Sequence, residues 1–175
     1  MTIFMDMDGV ACDFMTGLAE LMGKPEHGTF GPCPPSGYKL GDVFPGSFRA
    51  IERRGAAFWT ELLPYPWWAG WDTSDVYYLT RPTFSPSSTA GKIGWLKKQH
   101  GHDFTRYIVT AHKGLLARRS SDVLIDDSDR VIQEWREAGG TGFLWPMPWN
   151  VMGRLPTADD IRHVSELLSV TKTWL

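Results

Sequence analysis

The chain has few cysteines, no long hydrophobic run and no strong excess of charge of either sign. Its 175 residues include two cysteines, Cys12 and Cys33, and the formal net charge is −2. Two scattered thiols are too few for a disulfide framework or a cysteine-based zinc site. No apolar stretch approaches the roughly 20 residues of a membrane-spanning helix, and no basic cluster indicates binding to polymeric nucleic acid. The first residues also lack the basic and apolar regions of a signal peptide, so we expect a cytoplasmic protein without membrane or polymeric nucleic-acid partners.

Tryptophan, in contrast, is abundant: the chain has nine, and four of them fall between Trp59 and Trp71. Large aromatic side chains usually fill a hydrophobic core, and we expect this role for most of them. The alternative is an aromatic wall against a planar ligand.

From residue 75 onward, β-prone segments alternate with segments of helical periodicity. This alternation predicts an α/β fold, a Rossmann-like parallel sheet flanked by helices. Residues 14–65 break the alternation, and we expect them to form a small helical cap inserted after the first strand, with 1–13 and 66–175 as the core. The predicted strands are 2–6, 75–80, 106–110, 122–126 and 142–145, and the predicted helices are 13–24, 47–60, 89–100, 129–138 and 158–170, with 25–46 as an irregular loop.

Polar side chains follow four of the predicted strands at the point where each strand ends. In a parallel sheet these carboxyl ends share one edge, and ligands bind there. We therefore expect the polar side chains to converge on one site. They are Asp6 and Asp8 after the first strand, Thr80 and Arg81 after the second, Lys113 after the third, and Asp126 and Asp127 at the end of the fourth.

Asp6 and Asp8 stand two residues apart, so their carboxylates are expected on the same side of the chain. Such a pair repels unless a cation, a shared proton or a reaction uses it, and a simple Asp-Gly turn is the alternative. Mg²⁺ prefers carboxylate oxygens, while lysine binds phosphate oxygens. One carboxylate can attack a phosphorus atom and the other can transfer protons. The residues therefore predict Mg²⁺-dependent phosphoryl transfer, most simply to water.

Three segments carry a family resemblance: TIFMDMDGVACDF, VYYLTRP and YIVTAHKGLLARRSSDVLIDDSD. Together they resemble the four motifs of the haloacid dehalogenase (HAD) superfamily, and within it the 5'(3')-deoxyribonucleotidases, over roughly residues 2–150. The resemblance implies that Asp6 is the nucleophile and that Asp8 is the general acid/base. It also implies that Mg²⁺ is held by Asp6, by the backbone carbonyl of Asp8 and by one of Asp126 and Asp127.

The resemblance further implies how phosphate is bound. Thr80 would hydrogen-bond the phosphate and Lys113 would neutralise it. Lys92 is either a second phosphate contact or an exposed helix residue. The family commonly has arginines at the positions of Ala111 and Ser128, and we expect Arg81 to compensate for their loss.

Phe14, Phe58 and Trp59 correspond to the aromatic pocket that holds the base in this family. The implied function is a Mg²⁺-dependent phosphatase that hydrolyses deoxyribonucleoside 5'-monophosphates, small-molecule nucleotides, through an aspartyl-phosphate. Two alternatives stay open: a phosphatase or phosphotransferase for another small phosphorylated metabolite, and a catalytically idle nucleotide-binding module. The sequence does not give the oligomeric state, and it is compatible with a homodimer.

Overall fold

Five short strands form the central sheet, in the order β3-β2-β1-β4-β5. The structure is a computed structural model that describes residues 1–31 and 40–170. Every pairing between neighbouring strands is parallel, which confirms the predicted α/β class. The strands are β1 (Thr2–Met5), β2 (Tyr77–Thr80), β3 (Tyr107–Val109), β4 (Asp122–Asp126) and β5 (Thr141–Leu144).

The register of the central strand β1 aligns the strand ends that carry the polar residues. Met5 pairs with Tyr78 on β2 and with Ile125 on β4. The next amide, Asp6 N, donates to Ile125 O at 2.8 Å. Asp6 therefore emerges beside Asp126, at the carboxyl edge of the sheet.

Seven α-helices lie within the described ranges, together with three short 3-10 turns. None of these helices is long and apolar enough to cross a membrane. The helices are α1 (Phe14–Leu21), α2 (Leu40–Val43), α3 (Ser47–Arg54), α4 (Ala56–Thr60), α5 (Pro86–His100), α6 (Asp129–Glu137) and α7 (Ala158–Val170), and the 3-10 turns are Pro25–His27, Trp68–Gly70 and Lys113–Leu116.

Three helices differ from their predicted extent, and the first of them, predicted over 13–24, ends at Leu21. The predicted helix 47–60 is two helices, α3 and α4, because Gly55 between them has a φ of 66°, a left-handed value that ends an α-helix. Helix α5 begins earlier than residue 89, at Pro86, with Ser85 as its N-cap. Proline suits this first helical position because its missing N–H would have no partner there.

Some predictions reach residues that lie outside the described ranges. The predicted loop 25–46 contains a 3-10 turn and α2 in its described parts, whereas residues 32–39, including Cys33, fall outside. The last five residues of the predicted core, 171–175, also fall outside.

Side chains of the strands alternate between two hydrophobic clusters, one on each face of the sheet, because successive strand residues point in opposite directions. Ile3 and Met5 join the larger cluster, which α5 and α7 cover. Phe4 joins the smaller cluster with Leu79 and Leu124, which α6 covers. Both faces of the sheet are thus buried, as is usual for parallel sheets.

The inserted segment 14–65 shares its core with the sheet. Leu18 of α1, Ile51 of α3 and Phe58 of α4 belong to the same hydrophobic cluster as Ile3 of β1. The cluster runs from the sheet into the inserted helices without interruption. The boundaries between cap and core remain predictions.

Most of the tryptophans fill the core, as predicted. Indole N–H groups also fasten neighbouring segments: Trp95 donates to Leu62 O at 2.8 Å, and Trp68 donates to the Tyr78 hydroxyl at 2.8 Å. These bonds tie the connection after α4 to α5 and to the sheet. The buried tryptophans are Trp59, Trp68, Trp71, Trp95, Trp135 and Trp145.

Helices α4 and α5 approach one another closely at Gly91. A Cβ atom at Gly91 would lie 2.5 Å from Ala56 O and 2.7 Å from Trp59 Cβ. Both distances are shorter than a nonbonded contact of a Cβ atom. The close approach places the Trp59 ring over the neighbouring residue of α5, with Lys92 Nζ 4.5 Å from the ring centroid. Gly91 therefore helps to fix the position of Lys92.

We predict that Gly91→Ala lowers the free energy of unfolding by about 1–3 kcal/mol, because the added methyl group overpacks the contact between α4 and α5. Helix propensity alone would act in the opposite direction, by about 1 kcal/mol. Gly94→Ala is the matched control, since its Cβ would meet only the Thr60 side chain, at 3.2 Å. Urea denaturation measures both variants. A Gly91→Ala variant as stable as the wild type would contradict the close packing.

Candidate active site

Three carboxylates gather where β1 and β4 end. Asp6 follows β1, Asp126 is the last residue of β4, and Asp127 comes next. One oxygen from each carboxylate lies within 4.8 Å of the others. Such a group has room for one ion between its oxygens, and the donor set is the kind that hard divalent cations prefer.

Lys113 is the cation inside this group. It begins the 3-10 turn after β3 and is 1% exposed. Its Nζ lies 2.8 Å from Asp6 Oδ1 and 2.7 Å from Asp126 Oδ2. Burial opposes the charged form, but Asp126 and Asp6 outweigh it and raise the pKa of Lys113. One ammonium group thus contacts two of the three carboxyl groups.

The adjacent residues Asp126 and Asp127 have different surroundings. Asp126 is fully buried, and its two oxygens accept from Lys113 Nζ at 2.7 Å and from Ser128 N at 2.9 Å. Asp127 instead borders an open cavity and accepts a hydrogen bond from Trp149 Nε1 at 2.6 Å. Burial raises the pKa of Asp126 to about 6. Burial, reinforced by Asp126 and Asp6, raises the pKa of Asp127 well above its ordinary value.

A tight turn after β1 makes room for Asp127. The amides of Ala11 and Cys12 both donate to Met7 O at 2.9 Å, and Gly9 adopts a φ of 80°. A Cβ atom at Gly9 would lie 2.1 Å from Asp127 Oδ2. Only glycine therefore allows the Asp127 carboxylate to take this position.

Asp8 does not join the three carboxylates through its side chain. Its Oδ2 accepts from Lys92 Nζ at 2.6 Å, and its Oδ1 lies 3.6 Å from the Cys12 thiol. Burial raises the pKa of Asp8, although the charge of Lys92 opposes this effect. The Asp8 carboxyl is thus held apart from the cluster while it still borders the same cavity.

Lys92 is 1% exposed, so the predicted alternative of an exposed helix residue is wrong, while its role as a phosphate contact stays a prediction. Its Nζ donates to Asp8 Oδ2 at 2.6 Å, to Thr80 Oγ1 at 2.9 Å and to Arg81 O at 2.7 Å. Three bonds use all three donors of an ammonium group. Lys92 therefore connects Asp8 to the end of β2.

Arg81 also differs from its prediction as a phosphate contact. Its guanidinium donates to Glu134 Oε2 of α6 at 2.9 Å, because successive side chains point to opposite faces of the sheet and Arg81 lies on the face that α6 covers. Thr80, the preceding residue, is fully buried and touches Lys92. The structure thus brings Thr80 to the site and pairs Arg81 elsewhere.

A cavity of about 240 Å³ opens beside the carboxylates. Its polar wall is formed by the aspartates and its apolar wall by residues of α1, α2 and the loop after β5. The lining residues are Asp6, Asp8, Gly9, Phe14, Met15, Leu40, Asp127 and Trp149.

The three predicted pocket residues differ in their position relative to the cavity. Phe14 lines the cavity, and Trp59 stacks behind it with ring centroids 5.5 Å apart. Phe58 packs edge-on against both rings and borders a different cavity between α1 and α4. The three rings therefore pack together at one wall of the cavity, and of the three only Phe14 lines it.

Trp149 and Asn150 were not predicted as site residues. Both lie in the loop after β5, and the rule that polar groups at strand ends share one edge applies to that strand as well. Trp149 donates to Asp127 Oδ2, while Asn150 Nδ2 donates to Asp127 O at 2.9 Å. The sequence could therefore have indicated these two residues, because their loop follows a strand whose carboxyl end lies at the same edge of the sheet.

Neither a family model nor a curated protein sequence matches the chain. Two solved structures have a similar fold. A HAD family hydrolase from Deinococcus radiodurans R1, crystallised with bound phosphate and sodium, has a TM-score of 0.50 and 13% identity over 93% of this chain and 87% of its own. A HAD-superfamily hydrolase from Ehrlichia chaffeensis has a TM-score of 0.51 and 10% identity over 97% of this chain and 96% of its own. The chain therefore has the HAD-like fold, as predicted.

In the metal-free protein, we predict that Asp126 makes the free energy of unfolding fall as the pH rises. The folded-state pKa of about 6 exceeds the ordinary value of 3.8, so the folded state binds the proton more tightly. The stabilising contribution is fully present below the unfolded pKa and is lost as the pH rises through the folded pKa. Asp126→Asn should remove on the order of 1–3 kcal/mol of this dependence.

Chemical denaturation with a chelator, between about pH 4 and pH 7, measures this effect. The control is Asp103→Asn, because the Asp103 side chain is fully exposed. An Asp126→Asn variant that keeps the wild-type pH dependence would show that this carboxyl titrates normally.

Proposed function

We propose that this protein is a Mg²⁺-dependent phosphomonoester hydrolase that forms an aspartyl-phosphate on Asp6, with deoxyribonucleoside 5'-monophosphates as its substrates. The observation that carries the proposal is the cluster of Asp6, Asp126 and Asp127, with one oxygen of each within 4.8 Å of the others, bridged by the buried Lys113. The bound phosphate of the similarly folded Deinococcus hydrolase supports the same chemistry.

The residues present fit a magnesium ion. All donors of the cluster are carboxylate oxygens, and a single lysine leaves their negative charge only partly balanced. Asp127 is the better ligand of the adjacent pair, because it borders the cavity while both oxygens of Asp126 already accept hydrogen bonds. Asp6, Asp127 and the backbone carbonyl of Asp8 would hold the ion. When bound, Mg²⁺ would polarise the phosphate and lower its negative charge.

Asp6 is prepared for attack on phosphorus. Its Oδ1 accepts from Met7 N at 2.8 Å and contacts Lys113 Nζ at 2.8 Å, which fixes the carboxylate plane. The Asp6 carboxylate attacks phosphorus, and the acyl-phosphate bond forms as the ester oxygen leaves. Lys113 stabilises the negative charge that develops on the phosphoryl oxygens.

Asp8 would carry the proton in both halves of the reaction. Burial raises the pKa of Asp8, which favours a carboxyl that can donate its proton to the leaving alcohol oxygen. The resulting carboxylate then takes a proton from the water that attacks phosphorus, and the products are inorganic phosphate and free Asp6. Lys92 keeps Asp8 in place through its hydrogen bond of 2.6 Å.

Thr80 contributes a donor to the phosphate. Its Oγ1 accepts from Lys92 Nζ at 2.9 Å, and its O–H would donate to a phosphoryl oxygen. Lys92 therefore orients two groups, Asp8 and Thr80, on the same side of the site.

The shape of the cavity supports a nucleotide as substrate. The carboxylates border one side, and Phe14, Met15, Leu40 and Trp149 form the apolar remainder of the wall. A flat, weakly polar group such as a base packs well on aromatic side chains. A phosphatase for another metabolite stays the second candidate, since the same wall would accept other apolar groups.

We predict that Asp6→Asn abolishes Mg²⁺-dependent release of phosphate, lowering turnover by at least about 1000-fold, because an amide oxygen cannot form the acyl-phosphate. The variant should still bind a nucleotide. Release of phosphate is measured with inorganic phosphate detection, and Asp103→Asn is the control because its side chain is fully exposed. Wild-type turnover in Asp6→Asn would exclude the mechanism, and absence of turnover in the wild type would favour an idle binding module.

A panel of phosphomonoesters tests the substrate. We expect deoxyribonucleoside 5'-monophosphates to have a kcat/KM at least about tenfold above sugar phosphates of similar charge, since a base gains apolar contacts worth about 1.4 kcal/mol or more. Phe14→Ala should reduce this preference without abolishing hydrolysis of the sugar phosphates. Equal kcat/KM for nucleotides and sugar phosphates would overturn the nucleotide assignment and leave the phosphatase assignment intact.

A further inference from the structure

Trp149 contacts the metal-binding group through a hydrogen bond. Its indole Nε1 donates to Asp127 Oδ2 at 2.6 Å. The residue is half-buried in the loop that follows β5 and borders the cavity. A charged acceptor makes such a bond shorter and stronger than one between neutral groups, so the contact restrains the Asp127 side chain.

The loop that carries this tryptophan is itself fastened to the site. Asn150, which is 1% exposed, donates from Nδ2 to Asp127 O at 2.9 Å and to Trp145 O at 2.8 Å. Its Oδ1 accepts from the amides of Met147 at 3.4 Å and Met152 at 3.1 Å. These four bonds hold the backbone of the loop next to Asp127.

The opposite side of the Asp127 carboxylate is also confined. Gly9 is so near that a Cβ atom there would lie 2.1 Å from Asp127 Oδ2. The carboxylate is therefore held between the Gly9 backbone and the Trp149 indole. A rotation of this side chain would break the Trp149 bond or enter the turn after β1.

We propose that Trp149 is a positioning residue, whose indole N–H holds the Asp127 carboxylate in the orientation that binds the divalent cation with Asp6. The inference rests on the metal site of the proposed function. Hydrogen-bond partners of metal ligands typically contribute 10–100-fold to metal affinity. The same ring borders the cavity, so the donor and the apolar surface of Trp149 need separate tests.

Two substitutions separate the donor from the ring. Trp149→Phe keeps an aromatic surface and removes the N–H. Trp149→Gln removes the ring and restores a donor, because the glutamine amide nitrogen lies the same number of bonds from Cα as Nε1. Trp71→Phe is the matched control, since Trp71 donates to Ile161 O at 3.3 Å and is not among the residues that line the cavity.

The measurement is calorimetric titration of the protein with MgCl₂ in the absence of substrate. We expect Trp149→Phe to raise the Kd for Mg²⁺ about 10–100-fold, whereas Trp149→Gln and Trp71→Phe should stay within about threefold of the wild type. Circular dichroism establishes that each variant is folded. If Trp149→Phe fails to fold, Trp149→Leu, which also lacks the donor, takes its place: a Kd for Mg²⁺ raised about tenfold or more that Trp149→Gln restores supports the inference, and a Kd near the wild-type value overturns it.

The outcomes distinguish this inference from the proposed function. A wild-type Kd in Trp149→Phe overturns the inference and leaves the phosphatase assignment in place. A weakened Kd that glutamine restores, in a protein that hydrolyses no phosphomonoester, supports the inference and overturns the proposed function. If the wild-type protein does not bind Mg²⁺, the metal site is absent and the inference falls with it.

Discussion

Electrostatic repulsion among Asp6, Asp126 and Asp127 is the constraint on which the rest of the site depends. The parallel register of β1 and β4 brings these carboxylates together at a buried edge, and an unpaired buried charge costs several kcal/mol. Lys113 supplies one positive charge, which is too little for three carboxylates. The remaining negative charge of the cluster favours the binding of a further cation. The absence of a side chain at Gly9 leaves space for the Asp127 carboxylate beside the turn after β1.

The two buried lysines have separate tasks. Lys113 bridges Asp6 and Asp126, whereas Lys92 binds Asp8 and Thr80. Lys92 also links the site to the inserted helices, because it lies on α5 next to Gly91, where α4 packs closely. Any movement of α4 relative to α5 would therefore displace the proposed general acid as well as the cap. Residues 14–65 and the proposed catalytic group are therefore connected through direct contacts.

The sequence was sufficient to predict the strands, their parallel arrangement and the convergence of their polar ends, because these follow from periodicity and from one topological rule. It was not sufficient to predict side-chain direction. Arg81 follows the same strand as Thr80 yet pairs with Glu134, and Lys92 has the same charge as Lys113 but different partners. Trp149 was missed because only charged and hydroxyl side chains at strand ends were considered, whereas its indole N–H is a neutral donor that contacts Asp127.

In the proposed enzyme, substrate choice would depend on the wall of the cavity beyond the carboxylates. The apolar wall of Phe14, Leu40 and Trp149 is where such a choice can be made. Phe14 is supported from behind by Trp59, but Trp149 is held by the carboxylate of Asp127 itself. In the proposed enzyme, a substitution that reshapes the Trp149 side of the wall would therefore also alter a metal ligand. The Phe14 side can change without touching the carboxylates, and substrate preference can vary there at the least cost to catalysis.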